Sequence, residues 1–166
     1  TSASHLTWTE EKFIKGEATI VELAGVYKKY NCPMARTIML GKADQKKIDT
    51  MKATNEALDS GISEIKPGKT CDEVAQKFWK VLDKYGIKKN SRTGYSIGIG
   101  YPPDWGEHTL NIQKGDKTIL QPNVTFHMIA VMQFGNWGAH SSESIRVTEK
   151  GYELFCDFSR EWHIKE

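Results

Sequence analysis

One carboxylate interrupts the apolar run ATIVELAGVYKKYNCPMARTIMLG, Ala18 to Gly41: Glu22, between Val21 and Leu23. Side chains alternate along a strand, so Ile20, Glu22 and Ala24 share one face. The same rule groups His127 with Ile129, and His140 with Ser142 and Ser144, on two later β-rich runs. If those faces meet, a carboxylate and two imidazoles share a polar site suited to acid–base or nucleophilic chemistry. Pattern alone also allows a blander account. Glu22 is then a solvent-facing residue of a half-exposed sheet, and His127, between Phe126 and Met128, is a buried, hydrogen-bonded histidine. His108 in GEH reads as a loop residue near a pocket rim.

Other chemistries leave no local mark. The chain has no HExxH, HxH or DxD grouping, so a metal site has little support from spacing. No GxSxG elbow offers a serine nucleophile. GYSIGIG has spaced glycines but lacks the GxGxxG dinucleotide fingerprint. Cys32, Cys71 and Cys156 are odd in number and widely spaced, which fits reduced thiols in a cytoplasmic protein better than a disulfide framework.

The elements that must position these residues follow from periodicity. Ala18–Gly25 and Val26–Leu40 read as two strands joined by a tight turn. Pro33 inside the second demands a bend, a bulge or an edge. Ile48, Met51, Leu58, Ile62 and Ile65 fall at helical spacing over Asp44–Ile65. Lys66-Pro67-Gly68 stops that helix. Thr70-Cys71-Asp72-Glu73 is a capping box opening a second helix that buries Val74, Phe78, Val81, Leu82 and Tyr85, with Gly86 as its C-terminal stop. Glycines and prolines from Gly94 to Gly106 form a long loop of the kind that often carries function. Val124–Met132, Ser141–Thr148 and Tyr152–Phe155 read as strands. Strands, two helices, then strands argue for α+β with a mostly antiparallel sheet.

The 166 residues suffice for one domain with a sizeable core. A net charge of +2, with only short basic clusters such as Lys28-Lys29, makes no electrostatic case for nucleic acid. No stretch reaches the roughly 20 apolar residues that cross a bilayer. The start TSASHLTW has no signal-peptide pattern. A small-molecule substrate is the expected partner, with no nucleic acid and no membrane.

Taken together, the segments resemble the pita-bread hydrolases, the superfamily of prolidase, methionine aminopeptidase and creatinase. GEATIVELAGVYKKYNCPMARTIMLG resembles its metal-binding double strand, EIKPGKTCDEV its helix pair and GYSIGIG its glycine-rich histidine motif. LQPNVTFHMIAV resembles its glutamate strand, and SSESIRVTEKGYELF its closing strands. The resemblance implies a curved, mostly antiparallel sheet with helices on its convex side. It also implies that residues 1–166 form the C-terminal portion of a single catalytic domain, incomplete at its N-terminus. A homodimer is expected of the full-length protein.

Family metallopeptidases hold two metals with two Asp, one His and two Glu. Those positions fall on Glu22, Pro33, Tyr95, Ile129 and Ser142 (or, with a shift of one, Glu143). Two of them offer no ligand atom, so the resemblance implies no metal and no cofactor. It points instead to the metal-free members, creatinase and the ectoine hydrolases, which the segments SASHLTWTEEKFIKGEATIVELAG and GYPPDWGEHT resemble most. The expected function is metal-independent hydrolysis of a C–N bond in a small metabolite. Glu22 is the expected nucleophile or base, and His5 the proton shuttle, matched in its distance from Gly16-Glu17. Burial among Val21, Leu23 and Ala24 is expected to raise the pKa of Glu22, and a cationic amidine to favour its ionised form. Tyr95, His127, His140 and Glu143 are expected to orient the substrate. Arg36 is expected to hold a substrate carboxylate or, equally, to form a structural ion pair. An Xaa-Pro metallopeptidase and a non-catalytic binding module on the same fold are the alternatives.

Overall fold

The computed structural model describes residues 10–165. Its elements run β1 (Ala18–Tyr27), β2 (Tyr30–Leu40), α1 (Gln45–Ile62), α2 (Cys71–Lys84), β3 (Gly94–Ile97), β4 (Gly106–Ile112), β5 (Thr125–Phe134), β6 (Trp137–Val147), β7 (Tyr152–Leu154) and β8 (His163–Lys165). They form two sheets, ordered β1-β2-β8 and β4-β3-β5-β6-β7. All pairings are antiparallel except β2 with β8. The α+β fold expected from the sequence is present.

β1 and β2 pair as one hairpin, with Glu22 opposite Ala35 and Val21 opposite Arg36. The expected turn at Gly25-Val26 is displaced: the strands continue through it. They reverse at Lys28-Lys29, both with positive φ (47° and 72°), as a two-residue primed turn requires. Pro33 faces Ala24 across the ladder, and β8 joins β2 only at Ile38–Leu40. At Pro33 the strand therefore has one neighbour, and the missing N–H interrupts no ladder.

Asp44 caps α1 by accepting the Lys47 N–H at 2.8 Å. Thr70 and Glu73 form the expected capping box at α2: Glu73 N donates to Thr70 Oγ1 at 3.2 Å, and Thr70 N donates to Glu73 Oε2 at 2.8 Å. Gly86, at φ +65°, ends the helix. Its N–H donates to the Asp83 carbonyl and that of Ile87 to the Leu82 carbonyl, the Schellman pattern. Thr70→Ala removes one cap acceptor and is expected to cost about 1 kcal/mol. A thermal melt matching the unsubstituted protein overturns that assignment. Two expected core residues, Ile48 and Tyr85, are exposed instead. Tyr85 sits past the last turn, where its hydroxyl donates to Glu56 at 2.6 Å.

Both helices pack on one face of the larger sheet. Leu58, Ile62, Phe78 and Leu82 meet Phe126, Met128, Ala130 and Met132 of β5 and Ile145 of β6. A Cβ at Gly61 would overlap the Met128 methyl, so a glycine there lets α1 close on β5. β2 covers the opposite face of β6. No ladder joins them; side chains do. Ala35 N donates to Ser142 Oγ (2.7 Å), Ser144 Oγ to the Pro33 carbonyl (2.6 Å), Thr37 Oγ1 to the His140 carbonyl (2.9 Å), and His140 N to Thr37 Oγ1 (2.7 Å). Cover on both faces explains why β6 buries His140, Ser141, Ser142, Glu143 and Ser144. Short hydroxyl side chains let the backbones approach while satisfying the buried polar groups.

Candidate functional site

Where β2 no longer covers the larger sheet, a cavity of about 400 Å³ opens between β1, β3, β5 and β6. Glu22 enters it from β1, Tyr95 from β3, Ile129 and Val131 from β5, and His140 from β6. Residues 101–105, between β3 and β4, close one side with Tyr101, Pro103, Asp104 and Trp105. Arg92 completes the wall.

Alternation along β5 explains the lining. Phe126, Met128, Ala130 and Met132 face the helices, so Ile129 and Val131 face the cavity. His127 shares their face but lies behind Tyr95, fully buried. The wall segment is tethered to the hairpin. Asn31 N donates to the Gly98 carbonyl at 2.8 Å, and its side-chain nitrogen donates to the same carbonyl at 3.1 Å. Glu107 accepts the Gly100 N–H at 2.5 Å, and Asp104 accepts that of Gly106 at 2.7 Å.

A chain of hydrogen bonds runs inward from Tyr95. Trp105 Nε1 donates to the Tyr95 hydroxyl at 2.7 Å, and that hydroxyl lies 2.9 Å from His127 Nδ1. His127 Nε2 lies 2.6 Å from Ser142 Oγ. Burial, seconded by His140 nearby, holds His127 well below the usual histidine range, so its ring is neutral. Burial likewise pushes the Tyr95 phenol up to about 12, with the Glu22 charge adding to the rise. Both rings keep their protons arranged for hydrogen bonding near neutrality. The Arg92 guanidinium stacks 4.5 Å over the Tyr95 ring and donates to Asn111 Oδ1 at 2.6 Å.

The structure brings Glu22, Tyr95 and His140 together and sets His127 directly behind them. Arg36 and Glu143 are not in the cavity wall. Alternation puts Glu143 on the face of β6 opposite His140. Arg36 lies on the face of β2 opposite Ala35, the cross-strand partner of Glu22. They pair with each other at 2.7 Å, both buried. The remaining Arg36 donors go to the carbonyls of Ala35, Ser142, Phe158 and Ser159. Arg36 is thus engaged as a structural ion pair, and no donor is left for a substrate carboxylate. Burial of Glu22 by Val21 and Leu23 is also corrected: both are exposed on the outer face of β1. His5 lies outside the described residues. Sequence reasoning missed Arg92, Tyr101, Asp104 and Trp105. For Tyr101, Asp104 and Trp105 the signals were the dense Gly and Pro content of residues 94–106 and the segment GYPPDWGEHT; Arg92 had none.

The metal-holding positions implied by the resemblance do not fit a bridged metal pair. Pro33 and Ile129 carry no ligand atom. The Ser142 hydroxyl is held by Ala35 N and His127, and the Tyr95 oxygen by Trp105 and His127. Among the described residues, no group of three or more His, Cys, Asp or Glu is arranged to hold a metal ion. Nor is any helix among them long and apolar enough to cross a membrane.

The sequence pattern of metallopeptidase family M24 matches residues 1–149. Ectoine hydrolase of Halomonas elongata is 41% identical over 165 residues, covering 99% of this chain and 41% of the relative. An Xaa-Pro dipeptidase of Pyrococcus horikoshii is 22% identical over 162 residues, covering 95% of this chain and 44% of the relative. Among solved structures, dipeptidase PepE from Mycobacterium ulcerans superposes with a TM-score of 0.91 at 23% identity, covering 98% of this chain and 44% of that one. The chain thus spans about two-fifths of the length of the curated relatives it matches.

Proposed function

We propose, from the premise that this chain belongs to metallopeptidase family M24, that the cavity around Glu22 is the site of a metal-independent hydrolase. Its substrate is a small metabolite with an amidine-like or cyclic C–N bond, of the ectoine class. One observation carries this reading. Of the positions where the family resemblance places metal ligands, Glu22 is the one whose carboxylate lines the cavity, beside Tyr95 and His140; Glu143, the alternative to Ser142, is instead paired with Arg36. The 41% identity to an ectoine hydrolase supports the same choice of substrate.

In this reading the Glu22 carboxylate attacks the amidinium carbon, and water resolves the covalent intermediate. The cationic substrate keeps Glu22 ionised. Protonation of the leaving nitrogen falls to His5. Arg92, the one guanidinium lining the cavity among the described residues, takes the substrate carboxylate in place of Arg36. Tyr95 and His140 orient the bound ring, with His127 supporting Tyr95 from behind. A cytoplasmic location and a homodimer of the full-length protein belong to the same reading.

The family also contains Xaa-Pro dipeptidases, as the Pyrococcus horikoshii relative shows. One assay separates the two readings: turnover of ectoine and of an Xaa-Pro dipeptide by the whole protein, with and without EDTA. Ring opening of ectoine that is insensitive to EDTA is expected. Dipeptide cleavage that EDTA abolishes would overturn the proposal. Absence of turnover on both substrates favours a non-catalytic binding module.

A further inference from the structure

We infer that Tyr95 presents its hydroxyl proton to the cavity as a fixed hydrogen-bond donor, aimed at the oxygen that hydrolysis places on the reacting carbon. This rests on the hydrolytic reading of the cavity. Tyr95 forms no covalent bond and surrenders no proton; it donates to the water-derived oxygen in the resolving step, as that oxygen loses its protons and becomes the carbonyl of the ring-opened product.

Donors and acceptors along the buried chain decide the direction of each bond. The Ala35 N–H can only donate, and it does so to Ser142 Oγ at 2.7 Å. A serine hydroxyl has one proton and two lone pairs. The same oxygen lies 2.6 Å from His127 Nε2, and both side chains are fully buried. Among the described residues, Nε2 is the one acceptor within hydrogen-bond reach of the serine proton. Were Nε2 itself protonated, the serine would have a buried proton and nowhere to direct it, an arrangement that folded proteins avoid. Ser142 therefore donates to Nε2. In a neutral ring the remaining proton then sits on Nδ1.

From Nδ1 the direction carries outward. Nδ1–H donates to the Tyr95 oxygen at 2.9 Å, and the indole of Trp105, a donor only, donates to that oxygen at 2.7 Å. Both acceptor positions of the phenol oxygen are then filled. Its own proton has to point elsewhere, and Tyr95 borders the cavity that also holds Glu22. Ser142, His127 and Trp105 are positioning residues: they fix which way the Tyr95 proton faces and do not themselves border the reacting carbon.

Two measurements on the whole protein test this. The first is the histidine side-chain nitrogen spectrum with ¹⁵N label. His127 is expected with its proton on Nδ1 in the unsubstituted protein, and with that preference weakened in Ser142→Ala. The second is steady-state kinetics on ectoine. Tyr95→Phe is expected to lower kcat roughly 10²–10³-fold, the cost of one lost transition-state donor, and to leave KM within about 2-fold. A proton on Nε2 overturns the inference. So does Tyr95→Phe with unchanged kcat in a protein that does open ectoine. Absence of ectoine turnover by the unsubstituted protein instead overturns the proposed function, and the nitrogen spectrum then decides the orientation of the donor by itself.

Discussion

Glu22→Gln is expected to lower turnover of ectoine by the whole protein at least about 10⁴-fold, with the fold intact. A lost proton-transfer group alone costs about 10²–10⁴-fold; a lost nucleophile removes the covalent route altogether. Glutamine keeps the shape and removes the charge. The position is half-buried, on a strand whose ladder to β2 runs through backbone groups. The change should therefore leave the thermal melt within error while kcat collapses. Because the loss is chemical, added Mn²⁺, Co²⁺ or Zn²⁺ should not restore it. Near-normal turnover in Glu22→Gln, or rescue by any of these metals, would remove Glu22 from the role assigned to it.

The second large effect is on stability. Arg36→Met is expected to destabilise the fold by about 3–5 kcal/mol, the range for stranding one partner of a buried ion pair. Glu143 is 1% exposed and would lose its 2.7 Å partner, leaving Arg160 Nε at 3.4 Å as its nearest cation. Burial already pushes the Glu143 carboxyl above its ordinary range despite both guanidiniums, which marks the site as hostile to an unpaired charge. The double variant Arg36→Met/Glu143→Leu removes both charges and should recover part of the loss. Urea unfolding of the three proteins reads this directly. A single variant as stable as the parent, or a double variant weaker than the sum of its parts, would show that the pair does not act as described.

Much of the frame is written in local pattern. Thr70 and Glu73 announce their helix because a capping box needs only residues three apart. Glu22 announces itself because a carboxylate in an apolar strand has to face something other than the core. Arg36 reads as ligand-binding from sequence because nothing local says where its guanidinium ends. All of its acceptors but the adjacent Ala35 carbonyl lie more than 100 positions away, on β6 and at residues 158–159. Arg92 and Trp105 were illegible for a similar reason. They belong to irregular segments with no period, held by contacts such as Asn31 to Gly98 that join distant parts of the chain. His127 shows the intermediate case. Alternation gives its face correctly, and Tyr95 in front of it decides that it supports the cavity without bordering it.

The Arg36 clamp also constrains the order in which this protein can become native during synthesis. β2 leaves the ribosome well before β6, yet its guanidinium is satisfied by Glu143 and by the carbonyls of Phe158 and Ser159, up to 123 positions later. At about 5–20 residues per second, that gap is roughly 6–25 s. Over most of that interval the β1–β2 hairpin carries a charged side chain whose distant native partners do not yet exist, and water must solvate it. A hairpin seated on β6 alone would leave two of the guanidinium N–H groups without their native acceptors. Full satisfaction of the guanidinium waits for Phe158 and Ser159, which supply its remaining two acceptors.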